Sequence, residues 1–231
     1  MDMRTGRQTT DLVGRLRPFA AIDAESQRAL ADISHIRRLT DGALILLEGD
    51  AATPVYFVLE GAVRVFRTSR EGREQTLIYL HAGEALNLPG AFASHWKVPA
   101  SAESVGEVKM LAMAVDDLRR VSMEYPEVSL ALLSMLAERV QHLSLMVYDL
   151  GLLSVRARVA RFLLSERSQH RETPVRWTHA QIASRVGTVR VVVSRTLSAL
   201  ASEGMIRLNQ QRIEIVDPVA LARVAEIDAP V

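Results

Sequence analysis

No cysteine occurs anywhere in these 231 residues. Disulfides, thiolate zinc sites and cysteine-held iron–sulfur clusters are therefore excluded. No uninterrupted apolar run approaches the roughly 18 residues a membrane span needs. The first residues, 1-MDMRTGRQTTDLVGRLRPF, are polar and lack the apolar core of a signal peptide. A soluble, cytoplasmic protein with no membrane partner is the expectation. No Ser/His/Asp set and no glycine-rich phosphate loop is visible, so catalysis is not expected. Charge of one sign is also missing overall: the net charge is +1. That balance hides an asymmetry. Residues 156–231 hold twelve arginines against seven acidic residues, a local charge of +5, and the rest of the chain carries −4. A basic C-terminal segment on an acidic chain points to a polyanion partner there.

What is present falls into three stretches. From about 38 to 115, glycines 42, 49, 61, 72 and 83 recur at spacings of 7, 12, 11 and 11. Between them lie 43-ALILL, 55-VYFVLE, 62-AVRVFRT and 76-TLIYLH, and later 100-ASAESV and 108-VKMLAMA, all of strand composition. Short strands with turn signals at this spacing predict an antiparallel roll or sandwich. From 116 to 150 glycine vanishes and Pro126 is the only proline. There Leu133, Leu136, Val140, Leu143, Val147 and Leu150 recur at spacings of 3, 4, 3, 4 and 3. Such a heptad seam on one long helix predicts a partner helix. The apolar Leu132, Leu145 and Met146 leave a face packed on its own domain as the alternative. At 149-DLG glycine is expected to break the helix and form an interdomain hinge.

The third stretch contains 185-RVGTVRVVVSRTL-197, whose crowded valines favour a strand. Its context favours a helix. Upstream, 154-SVRARVARFLLSERS reads as an amphipathic helix with Val155, Val159, Phe162 and Leu163 on one face. Thr178 and Gln181 have the spacing of a capping box that starts a second helix, and Gly187 ends it. A third helix from Thr188 then aligns Val189, Val193, Leu197 and Leu200 in a stripe able to pack on Ile182 and Val186. Gly204 terminates it, and 205-MIRLN and 212-RIEIV follow as a hairpin around 209-NQQ. A short last helix fits 218-PVALARVAEI, with proline in its first turn.

Helix, glycine-containing turn, helix and hairpin make a winged helix-turn-helix, which binds double-stranded DNA. Arg190 and Arg195 can each donate two hydrogen bonds to guanine in the major groove. Thr178, Arg185, Thr188 and Ser194 suit phosphate oxygens, and His179, Val189 and Val191 complete the candidate face.

The motifs 60-EGAVRV, 83-GEALN, the heptad helix and 187-GTVRVVVSRTLSALASEGMI resemble the cyclic-AMP receptor and fumarate–nitrate-reduction (CRP/FNR) regulator family over residues 20 to 227. The resemblance implies an α+β chain. Its parts are an antiparallel β-roll of the cyclic-nucleotide-binding, jelly-roll kind over 1–115, a dimerisation helix over 116–150, and a winged helix-turn-helix over 151–231. It implies a homodimeric transcription regulator that senses a small effector and binds an inverted-repeat operator, with RNA polymerase as a candidate partner. The family's recognition helix usually reads Arg-Glu-x-x-x-Arg. Arg190 and Arg195 match the arginines, but Val191 stands where glutamate is usual and cannot accept from cytosine N4.

The same resemblance places an effector site at Gly83, Glu84, Ala85 and Leu86, with Val98, Pro99 and Ala100 on the next strand and Leu143 and Ser144 on the long helix. Gly83 and Glu84 match the family's phosphate-binding pair. Its Arg-Ser falls at Val98-Pro99, which cannot neutralise a phosphate, and Lys97 is expected on the opposite face of the strand. A buried phosphodiester without its arginine would cost several kcal/mol. This argues against cyclic AMP and for an unknown effector of little or no charge, or none at all. Other readings stay open. Haem, as in a gas sensor, would draw its ligands from His81, His95, Met110 or Met113. A cupin-like metal enzyme would use His81, Glu84 and His95. A wing domain that docks protein instead of DNA is the alternative of a different class.

Overall fold

The computed structural model describes residues 3–51, 54–169, 177–209 and 212–226. They form two compact units, one of residues 1–67 and 77–142, the other of residues 68–76 and 143–231.

The first unit opens with two helices in a segment that the sequence marks only as polar, α1 (Met3–Arg15) and α2 (Ala24–Asp32). Asp23 caps α2 by accepting from the Ser26 amide at 2.7 Å. Six strands follow: β1 (Ser34–Leu39), β2 (Leu44–Leu46), β3 (Val55–Thr68), β4 (Glu74–Leu80), β5 (Ala85–Leu86) and β6 (Ser101–Met113). They form one sheet in the order β1-β6-β3-β4, with β2 also on β6 and β5 also on β3. The pairs β1–β6, β2–β6, β3–β5 and β3–β6 are antiparallel, as the turn spacing predicts.

Two expected strand breaks are absent, one of them the break at Gly61. The 55–60 and 62–68 segments are one strand, β3, and 100–105 and 108–114 fall largely in one strand, β6. Gly61 marks a bulge in β3 instead of a turn: register shifts on both sides of Glu60, and φ is +84°. A Cβ at Gly61 would lie 2.3 Å from the Glu107 carbonyl oxygen, so only glycine fits. At the bulge both long strands are exposed, whereas Val55–Val58 of β3 and Met110–Met113 of β6 are buried on two faces, which explains continuous apolar runs such as 55-VYFV. Val55, Phe57, Leu111 and Met113 pack with the helices. Tyr56, Val58, Met110 and Ala112 fill the roll with Leu80, Leu86 and Val98.

The stretch expected as a single helix from 116 to 150 is two, α3 (Val115–Glu124) and α4 (Pro126–Leu152). Tyr125 between them is extended, as a residue before proline tends to be, and Pro126 takes the first position of α4. The break expected at 149-DLG does not occur there. Gly151 is helical, with open space where a Cβ would stand, and α4 ends one residue later. By length and composition α4 could cross a membrane. At about 1.5 Å per residue it is roughly 40 Å long. Val128 and Leu132 are buried in the first unit's core, and Leu136 packs against it. The other seam residues are exposed, Val140 at 68% and Val147 at 71%.

The second unit contains the end of α4, then α5 (Val155–Gln169), α6 (His179–Val186), α7 (Arg190–Ser202), a hairpin of β7 (Ile206–Asn209) and β8 (Arg212–Ile215), and α8 (Pro218–Val224). Its core joins Val159, Phe162 and Leu163 of α5 to Ile182 and Val186 of α6 and to Val193, Leu197 and Leu200 of α7. The helical reading of the valine-rich stretch therefore holds, although α7 begins two residues after Thr188. The hairpin tip at Gln210 and Gln211 lies outside the described residues.

Candidate functional site

The first helix of the pair is fixed at both ends by its sequence. Thr178 accepts from the Gln181 amide at 3.2 Å while the Gln181 side chain accepts from the Thr178 amide at 2.9 Å, a complete capping box. At the other end Gly187 adopts φ +68°, ψ +51°, the left-handed cap that turns the chain into α7. The cap of α7 is Val189, whose side chain accepts nothing. It is exposed and does not belong to the buried stripe. Val193, Leu197 and Leu200 make up that stripe, each fully buried. Burial of side chains this size is worth about 1.5–3 kcal/mol apiece, which fixes the helix's rotation.

That rotation decides which residues face outward. Arg190, Val191 and Arg195 are exposed on α7, Val191 at 57%, and Ser194 is half-buried beside them. Neither arginine has a hydrogen bond or ion pair among the described residues. Thr188 and His179 are half-buried at the edges of this face. Two candidate contacts are already engaged elsewhere. The Thr178 hydroxyl donates to Gln181 Oε1 at 3.0 Å, within the cap. The Arg185 guanidinium lies 5.6 Å from the Phe162 ring centre and 5.7 Å from that of Trp177. It also donates to Glu166, whose other oxygen accepts from the Trp177 indole at 3.0 Å. Arg185, expected among the phosphate contacts, is half-buried and ties α6 to Glu166 of α5.

In the first unit the effector-site residues separate by chemistry. Gly83 takes φ +92° in the turn before β5, and Glu84 accepts from the His81 amide at 2.7 Å. Ala85 and Leu86 are buried on β5, paired with β3. Val98 and Ala100 are buried too, whereas Pro99 and Lys97 are exposed. Hydrogen bonds of 2.8 and 2.9 Å from Gly49 and to Asp50 clasp Val98. Leu143 and Ser144 belong to the other unit and are exposed. Trp96 donates to Asn87 at 2.7 Å and lies against Gly90, where a Cβ would come within 2.9 Å of the indole.

One charged residue here escaped sequence reasoning. Arg139 of α4 reaches the Ala85 carbonyl at 3.4 Å. Burial holds its pKa below the ordinary range, partly offset by the Glu84 carboxylate. The signal was available: Arg139 lies one helical turn before Leu143, on the same face.

The haem candidates do not converge. His81 and His95 are exposed, Met110 is buried within the roll, and Met113 is buried in the separate helix-facing cluster. Among the described residues no group of three or more His, Asp or Glu could hold a metal ion, so His81, Glu84 and His95 do not assemble as a cupin-like site.

Comparison with known proteins agrees with this division of labour. Residues 36–125 match the cyclic nucleotide-binding domain and residues 157–224 the Crp-like helix-turn-helix domain. The chain is 33% identical to the cyclic AMP receptor protein of Thermus thermophilus, over 82% of this chain and 88% of that one. It is 26% identical to the global nitrogen regulator of a Synechocystis species, over 78% and 83% respectively. Two solved structures share the fold. The c-di-GMP responsive global regulator CLP of Xanthomonas campestris superposes with a TM-score of 0.76 at 20% identity, covering 84% of this chain and 99% of that one. A CRP/FNR regulator of Thermus thermophilus gives 0.70 at 24% identity, covering 85% and 100%. These relatives are transcription regulators and not enzymes. With a β-sheet effector domain, a long helix and a DNA-binding helix-turn-helix, the chain belongs to the CRP/FNR family of transcription regulators.

Proposed function

We propose that this regulator acts in the cytoplasm as a homodimer joined along α4 and reads an inverted-repeat operator through α7. The observation that carries the reading is the outward face of α7, where two arginines without partners flank an exposed valine. An arginine fork suits guanine O6 and N7, and a valine suits the methyl of thymine. Guanine preferences are expected at the bases read by Arg190 and Arg195, with a weak or thymine-leaning preference between them. Twofold symmetry places the half-sites about one helical turn apart.

The exposed seam of α4 supports a second copy as its cover. A lipid surface suits it less, because Glu138 and Arg139 sit mid-helix. Charges of this kind cost about 2.5–3.5 kcal/mol each at a bilayer's centre.

The effector is read as small and of little or no net charge. Arg139 and Glu84 offset each other, and the Val98-Pro99 position adds no cation. Relatives named for cyclic AMP, nitrogen regulation and c-di-GMP show that the family's shared fold leaves the effector open.

Binding selection on randomised duplexes tests the operator reading, with Val191→Glu beside the native protein. The variant is expected to shift preference at the intervening pair toward C·G. An unchanged half-site would show that residue 191 does not face a base edge.

A further inference from the structure

Arg158, on the first turn of α5, lies outside the proposed DNA face and effector site, yet its guanidinium donates to five backbone carbonyls. Nε donates to the Val186 carbonyl at 2.8 Å and Nη1 to the Leu153 carbonyl at 3.0 Å. The Leu150 and Gly187 carbonyls lie at 3.4 Å, and that of Asp149 at 3.5 Å. These oxygens belong to two helix ends. Residues 149–153 close α4, and residues 186–187 close α6 immediately before α7. Carbonyls at a helix C-terminus lack intrahelical partners and carry partial negative charge, so one planar cation can satisfy both ends at once. An independent observation shows how closely the ends meet: a Cβ on Gly187 would lie 2.6 Å from Leu150 Cδ2. Arg161 adds a separate tie, pairing with Asp149 at 2.7 Å and donating to the Ala225 carbonyl, but it binds α4 to the end of α8 and not to the turn.

We infer that Arg158 is a positioning residue that staples the last turn of α4 to the turn before α7 and thereby sets the half-site spacing the dimer accepts. The inference rests on the dimeric, operator-binding reading above. With the staple in place, the end of the dimer helix and the recognition helix move as one piece. An inserted base pair shifts the second half-site by about 3.4 Å and roughly 35° of twist, which such a piece cannot follow.

The test compares native protein, Arg158→Ala and Arg158→Lys on operators with the half-site spacing altered by −1, 0 and +1 base pair. A charge-assisted hydrogen bond is worth roughly tenfold in an equilibrium, so R158A is expected to lose at least about tenfold in spacing discrimination. Its binding to a duplex with a single half-site is expected to stay within about threefold of native. R158K, which keeps the charge but not the fork, is expected to show the same relaxation. Amide hydrogen exchange without DNA is expected to speed up together at 149–153 and 186–189 in both variants. Native-like discrimination overturns the inference, whether in R158A or, if that variant does not fold, in R158K. So does a uniform loss on every duplex, or exchange that rises at one segment alone. If the native protein binds no inverted repeat, the operator reading fails and takes the spacing role with it. Native binding with unchanged discrimination in the variants sinks the staple only.

Discussion

The outward face of α7 and the region around Glu84 are built from opposite economies of charge. On α7 the arginines that matter are exposed and without partners, held ready by a helix whose other side is fully buried. Around Glu84 the polar groups are already committed. Glu84 bonds the His81 amide, Trp96 bonds Asn87, and Arg139 leans on the Ala85 carbonyl. A surface that meets DNA needs cations whose water and counterions are the only things displaced. A pocket for a small molecule must satisfy itself when empty. The comparison teaches that the face of α7 presents uncommitted cations, whereas the region around Glu84 holds its polar groups in internal bonds and has no cation at Val98-Pro99.

The largest effect that can break this comparison comes from disrupting the proposed dimer seam. Val140→Asp with Val147→Asp places carboxylates in the exposed seam and is expected to give monomers in sedimentation. Affinity for an inverted repeat is expected to fall about 10²–10⁴-fold as two linked half-site contacts become one. A dimer that binds normally would show that the seam is not the interface. Next in size, Arg195→Ala is expected to cost about 1–3 kcal/mol on the specific site and relax one base position. Competition binding against single-base variants measures both quantities.

Two smaller effects sharpen the contrast. A phosphate-contacting cation contributes about 0.9 to the slope of log K against log salt. Arg185→Ala is expected to leave that slope nearly unchanged, because its guanidinium is held by Glu166, Phe162 and Trp177. A slope lower by a full contact would return Arg185 to the DNA face. Least of all, calorimetry with cyclic AMP at micromolar concentration is expected to show no saturable heat. Tight binding would mean that Arg139 or Lys97 supplies the charge that Val98 and Pro99 lack.

How far the sequence could be read follows from the range of the interactions involved. The capping box, the glycine cap and the buried stripe of α7 all act within a few residues, and all were legible. The start of α7 was placed two residues early because Thr188 has the chemistry of a cap, whereas the chain uses Val189. The tie of Arg185 to Glu166 was not legible because that carboxylate lies 19 residues away on α5. Arg139 was missed because it meets Ala85 across 54 residues. The extra strand breaks were expected because a glycine in a bulge and a glycine in a turn look alike in a one-dimensional pattern.

That bulge has a consequence of its own, best stated as parity. Before it, even-numbered residues of β3 point into the roll: Tyr56 and Val58 pack there, opposite to Val55 and Phe57. After it, odd-numbered Val63 and Val65 occupy the same interior, while on β6 Met110, Val108 and Ala102 stay even throughout. The irregular step near Gly61 acts as a frame shift in space, letting one continuous strand change phase against a partner that does not. Without that step, strict alternation from Val58 at the same chain length would turn Val63 out to solvent and Arg64 into the core. A second residue inserted beside the bulge would impose that same reversal, in the middle of a strand where an unaided pattern search would place a permissive loop.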